Sequence, residues 1–187
     1  MKKLLLIIVL SLSLINSSQA DDISSFEISG ISIGDSLLKH YKKNKILNSI
    51  NQTDYKSDKF TMVTMLAADE IYEILQFHFK KNDNNYIIHS ISGQKSMSIE
   101  SCLPERDKIF NQLKSLFKNT ETIVLKKREH PGYKNSYSYS NYFQFENGDL
   151  IEIACYDYND ELNQTWADKL TISLDTKEFN KFLMTAY

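Results

Sequence analysis

Phe143-Gln-Phe-Glu-Asn-Gly-Asp-Leu-Ile-Glu-Ile-Ala-Cys155 is the stretch on which the fold turns. Phe143 and Phe145 stand two apart, as do Ile151, Ile153 and Cys155, so both runs carry the period of a strand. Glu146-Asn147-Gly148 separates them. Asn-Gly alone suits a two-residue turn and would set Phe143 opposite Glu152. A three-residue loop sets Phe143 opposite Ile151 and puts the apolar positions on one face, which the pattern favours.

A second hairpin is written upstream. Leu75, Phe77 and Phe79 form one face of a strand and Gln76, His78 and Lys80 the other. Asn82-Asp83-Asn84 turns the chain, and Ile87, His89 and Ile91 alternate on the return. A three-residue loop with Asn84 left-handed would place Phe79 opposite Ile87 and Leu75 opposite Ile91. His78 and His89 would then lie on opposite sides of the sheet.

Around these hairpins, Phe60 to Leu66, Glu121 to Leu125 and Leu170 to Leu174 read as strands. Gly30-Ile-Ser-Ile-Gly34 reads as a turn into a helix capped by Asp35 or Ser36. Lys42 to Lys59 is polar and reads as a surface connection. Pro104 to Lys118 is a helix, with Pro104 in its first turn and Ile109, Leu113, Leu116 and Phe117 as its stripe. Asp175-Thr-Lys-Glu178 resembles a capping box before a last helix burying Phe179, Phe182 and Leu183. The expected fold class is α+β: an antiparallel sheet of about six or seven strands with about three helices packed on it. Two similar helix-plus-hairpin halves, 26–95 and 100–187, are one reading of this order.

The first twenty residues set the compartment. Lys2 and Lys3 precede an apolar run from Leu4 to Leu14, and Ser18 and Ala20 supply a small-x-small exit. That is the form of a cleaved signal peptide over residues 1–20. The apolar run falls short of the roughly 20 residues needed to span a bilayer. Removing the segment leaves 187 − 20 = 167 residues as a single α+β domain over 21–187. The expected location is periplasmic or secreted, with no membrane span in the mature chain. Two of the 22 basic residues leave with the segment, so 20 oppose 24 acids. A net charge of −4 argues against nucleic acid as a partner. Cys102 and Cys155 are the only cysteines, and an exported chain with an even count pairs them.

Phe26-Glu-Ile-Ser-Gly-Ile-Ser-Ile-Gly-Asp-Ser-Leu-Leu38, just after the signal peptide, resembles the opening of exported proteins of marine bacteria to which no activity is attached. Asp149-Leu-Ile-Glu-Ile-Ala-Cys-Tyr-Asp157 and Thr176-Lys-Glu-Phe179 extend the likeness. In architecture alone, a helix-plus-hairpin unit opening on Gly-x-x-x-Gly is similar to the units of β-lactamase-inhibitory proteins and of small outer-membrane assembly lipoproteins. This chain lacks the lipidated Cys of the latter.

No motif asks for a cofactor, and no catalytic or metal-ligating set emerges. There is no Gly-rich phosphate loop and no nucleophile elbow. Asp157-Tyr-Asn159-Asp160-Glu161 lacks the central Gly and the spacing of a calcium loop. Lys126 to Ser138 is basic, then Pro-Gly, then rich in Ser and Tyr, and reads as a long loop. Its Arg128, His130 and Tyr133, with Tyr137 and the following Tyr139, form a candidate binding loop. Tyr supplies rigid contact area with a polar tip, and Lys and Arg meet acidic partners. The expected function is a non-catalytic binding or accessory module whose partner is another envelope or extracellular protein. Two alternatives are a small secreted hydrolase with a dispersed site and a structural envelope component.

Overall fold

The computed structural model describes residues 22–117, 119–159, 161 and 167–186. Residues 1–21, with the expected signal peptide, and Lys118, Asp160, 162–166 and Tyr187 lie outside the described residues. Eight strands form one antiparallel sheet: β1 (Ile50–Asn51), β2 (Phe60–Leu66), β3 (Ile74–Lys80), β4 (Ser90–Ser96), β5 (Glu121–His130), β6 (Tyr133–Gln144), β7 (Leu150–Asp157) and β8 (Lys169–Asp175). The α-helices are α1 (Lys43–Asn48), α2 (Ile99–Lys114) and α3 (Lys177–Leu183). The strand order is β1-β2-β3-β4-β8-β7-β6-β5, two four-stranded meanders joined where β4 meets β8. Each meander follows a helix, α1 or α2.

Phe143 pairs with Ile151, and Gly148 closes the three-residue loop at φ +88°. Phe145 donates its N–H to the Asp149 carbonyl, and Gly148 donates to the Phe145 carbonyl. Burial on the apolar face therefore outweighs the Asn-Gly preference for a two-residue turn.

The first hairpin departs from its expected register. Leu75, expected opposite Ile91, pairs with Gly93, and it is Phe77 that pairs with Ile91. The shift is two residues, so β3 and Ile91 keep their faces, but the chain before β4 does not: Ile88 rather than Ile87 is buried in the main core. Its cause lies in the connection. Asp83 caps the Asn85 and Ile87 N–H groups, and Ile88 exchanges backbone bonds with Gly34 and Asp35. Residues 86–88 are thus claimed by the N-terminal segment, with Tyr86 rather than Asn84 at positive φ.

Three further expectations are corrected. The stretch from Lys126 to Ser138 is a β-ribbon, not a loop: β5 and β6 pair through Arg128↔Ser138 and Glu129↔Tyr137 and turn at Pro131-Gly132. A register shift between Leu125 and Arg128 absorbs the irregular polar sequence. Helix α2 starts at Ile99, so Pro104 falls inside it. The Cys102–Cys155 disulfide and full burial of Cys102 hold that first turn against β7, offsetting one lost helical hydrogen bond. The segment from Lys42 to Lys59 carries α1 and β1, and its Ile46 is wholly buried.

Cross-strand partners share a face, so the register sorts the sheet into two faces. The first carries Phe77, Ile91, Leu174, Ile151 and Phe143. Helix α2 and the N-terminal segment cover it, through Phe110 and Phe117 on Phe143 and Tyr41 on Phe77. On the second face, α3 packs at one end. There Phe179 and Phe182 join Phe60, and Thr176 is the N-cap, its hydroxyl accepting from the Phe179 N–H. The cap is one residue later than Asp175, and Glu178 reaches Lys59 and Lys80 instead of its own helix.

Candidate functional site

The second face of β8 runs Lys169, Thr171, Ser173, Asp175, every other residue of an alternating strand. On one side stand the β4 partners Ser96, Gln94, Ser92 and Ser90, and on the other the β7 residues Tyr156, Ala154 and Glu152. Tyr142 of β6 is the partner of Glu152 and donates its hydroxyl to that carboxylate at 2.7 Å. Gln94, Thr171, Ser173 and Asp175 are all buried, yet α3 is the one described helix packed on this face, at its Phe60 end. Buried polar groups along the middle of a sheet face are the unusual feature here, since water-facing sheet residues are ordinarily exposed.

The charges on this face are displaced from their ordinary values. Burial, opposed by a Ser90 hydrogen bond and helped by nearby Glu152, pushes the Asp175 carboxyl up to about 7. Burial draws the Lys169 ammonium down to about 8. The Glu152 charge, with burial, pushes the Tyr156 hydroxyl well up, while burial and then Glu152 do the same to Tyr142. A proton kept on Asp175 spares a second carboxylate charge in this desolvated place near Glu152.

Beyond Lys169 the face becomes aromatic. Tyr156 and Tyr158 stack with ring centres 6.1 Å apart at 12°, and Lys169 Nζ lies 5.9 and 5.3 Å from them. His130 and Tyr133, at the tip of the β5–β6 ribbon, complete the cluster: His130 is 4.6 Å from Tyr133 and 6.1 Å from Tyr156. Burial and the Lys169 charge lower the His130 pKa, which favours the neutral ring.

The five candidate binding residues are thus divided. His130 and Tyr133 join the aromatic cluster. Arg128 pairs with Ser138, itself opposite Tyr156, and its charge reaches Tyr142. Tyr137 and Tyr139 belong to the first face. Lys127 sits over the Tyr137 ring at 3.7 Å, and Tyr139 packs against the main core beside Cys155.

The two hairpin histidines do not take opposite sides. The chain bends at His89 before β4, and its ring meets Phe60 at 5.4 Å, while His78 stacks on Phe179 at 4.4 Å. Each has its own neighbour: His78 Nε2 meets the Tyr55 hydroxyl at 3.1 Å, and His89 Nδ1 lies 3.8 Å from Glu178. Burial lowers the His78 pKa to about 3. Among the described residues, no group of three His, Cys, Asp or Glu side chains could hold a metal ion. Nor is any described helix long and apolar enough to cross a membrane.

Lys169, Thr171, Gln94, Asp175, Glu152, Tyr142, Tyr156 and Tyr158 escaped the sequence reading. Their signal was faint: the polar positions of alternating strands ordinarily face water, and only the short side chains at Ser90, Ser92, Thr171 and Ser173 hinted otherwise. Comparison of the chain with protein-family models, curated proteins and solved structures finds no match.

Proposed function

We propose that the protein is an exported, non-catalytic binding module that engages another envelope or extracellular protein through the second face of its sheet. The observation that carries this reading is the band of buried and half-buried polar and aromatic side chains from Asp175 to Tyr158, on the side of the sheet where, among the described helices, α3 alone packs and does so at the Phe60 end. Tyr, Lys and Gln on a rigid sheet lose little conformational freedom on contact, which favours association. Export rests on the basic, apolar and small-residue pattern of residues 1–20, and the buried Cys102–Cys155 bridge suits an oxidising compartment.

The test is affinity capture from the native envelope with the processed protein as bait. A Tyr142→Ala/Tyr156→Ala variant with an unchanged melting temperature serves as its control. The proposal expects a discrete partner that the variant loses. A partner retained equally by the variant contradicts the choice of face.

One observation favours the hydrolase reading as a second. Asp175, protonated to about pH 7 beside Glu152, has the proton affinity of a general acid. That reading requires turnover of a chromogenic glycoside or ester panel that disappears in Asp175→Asn. Turnover unchanged in the variant would dismiss it.

A further inference from the structure

The sheet ends in two edge strands of different kinds. β1 is two residues long, and so short an edge offers little to a foreign strand. β5 runs for 10 residues, pairs with β6 alone among the described residues, and leaves seven of its residues exposed. Val124, in its middle, is 58% exposed. Thr122-Ile-Val-Leu125 is a run of strong strand formers with no charge to guard it. Glu121 and Arg128 are exposed to either side of that run, and neither makes an ion pair among the described residues.

The bulge in β5 relates these two charges. Glu121, Val124 and Arg128 pair with Gln144, Asn141 and Ser138 of β6. Counted along β6, Glu121 and Arg128 each stand three rungs from Val124, in opposite directions. Both lie on the second face, with Ile123 and Leu125 between them. Without the extra residue of the bulge, Arg128 would fall on the first face.

We propose that β5 pairs antiparallel with β5 of a second copy of this chain, about a two-fold axis through Val124. Glu121 then meets Arg128 twice, Ile123 meets Leu125 twice, and Val124 meets itself. A centre at Ile123 sets Glu121 against Leu125, and one at Leu125 carries it past Glu129, so neither matches the charges. Lys126, Lys127 and the bulge discourage an arbitrary strand, whereas a second copy presents the small Thr122 at that level. Five strand spacings of about 4.8 Å separate the two copies of β7, roughly 24 Å, so the α2 helices fastened there by their disulfides clear one another. This pairing needs nothing from the face proposed above to bind another protein. It would set two copies of that face side by side.

Sedimentation velocity of the processed protein over a concentration series should show a monomer–dimer equilibrium and no larger species, since the contact is isologous and closes on itself. Val124→Lys places two like charges on the axis and should leave a monomer with an unchanged melting temperature. Glu121→Arg and Arg128→Glu should each weaken the dimer roughly tenfold or more, by opposing like charges in two places. Mixed in equal amounts, these two variants should regain the affinity of the native chain, because each supplies the charges the other lacks. That recovery also shows that both are folded. A monomer at every concentration overturns the pairing, as does a dimer indifferent to Val124→Lys. A mixture that stays monomeric overturns the register. A photo-crosslinking residue at position 124 that joins a different protein in the native host, and never a second copy, gives the edge to a foreign strand and also overturns the proposal.

Discussion

Asp175 shows what one buried group does to the pH dependence of the molecule. The unfolded carboxyl loses its proton near the ordinary 3.8, and the folded one holds it to about 7. Between these values the native state binds more protons, so stability falls as pH rises and the full cost is in place above about pH 7. The shift corresponds to as much as about 4 kcal/mol. Asp175→Asn should therefore stabilise the protein by about 2–4 kcal/mol at pH 8 and by under about 1 kcal/mol near pH 4, read by urea unfolding. Equal effects at both pH values would show that Asp175 is ionised in the fold. Gly93 makes a second case. The Tyr72 ring lies 2.5 Å from where a Cβ would stand, so the strand is glycine there to admit the ring. Gly93→Ala should cost about 1–3 kcal/mol by overpacking, whereas alanine normally improves a strand interior. A neutral or stabilising result would remove Tyr72 from its place.

Among the elements, the β6–β7 hairpin was the most legible and the β5–β6 ribbon the least. Phe143, Phe145, Ile151 and Ile153 alternate without exception, and one loop length alone puts them together, so the register followed from local pattern. Gly148→Ala tests this turn. Its φ of +88° and a Lys177 side chain 2.9 Å from the added methyl should make the change cost more than about 1 kcal/mol. Hairpin unfolding with no loss of stability would mean another turn type. The β3–β4 register needed information from far away, since the segment Gly34–Ser36 takes the residues that would have closed a tight loop. The ribbon was hidden for a different reason. Lys126 to Arg128 carries no apolar residue, and Ser136 to Ser140 alternates serine with tyrosine, a pattern that Pro131-Gly132 and the basic run before it masked as loop. Its strands are held by backbone pairing and by rings such as Tyr133 and Tyr137. The same blindness covered the site: Lys169, Thr171 and Asp175 looked like the wet side of β8.

For the whole molecule, one sheet carries two different faces, and the disulfide fastens helix α2 to the first. Cys102 and Cys155 close a loop of 53 residues, worth about 4 kcal/mol on the chain-entropy account. Cys102→Ala/Cys155→Ala should lose about 2–5 kcal/mol in urea unfolding. An unchanged unfolding midpoint would show that the bridge does not constrain the chain in this way. The account stands most directly on which face meets a partner. A photo-crosslinking residue placed at Tyr156 on the second face, and in a separate protein at exposed Lys114 on α2, should be compared in the native host. The account predicts a discrete protein adduct from position 156 and none from position 114. Adducts from 114 alone, or the same adduct from both, would contradict it.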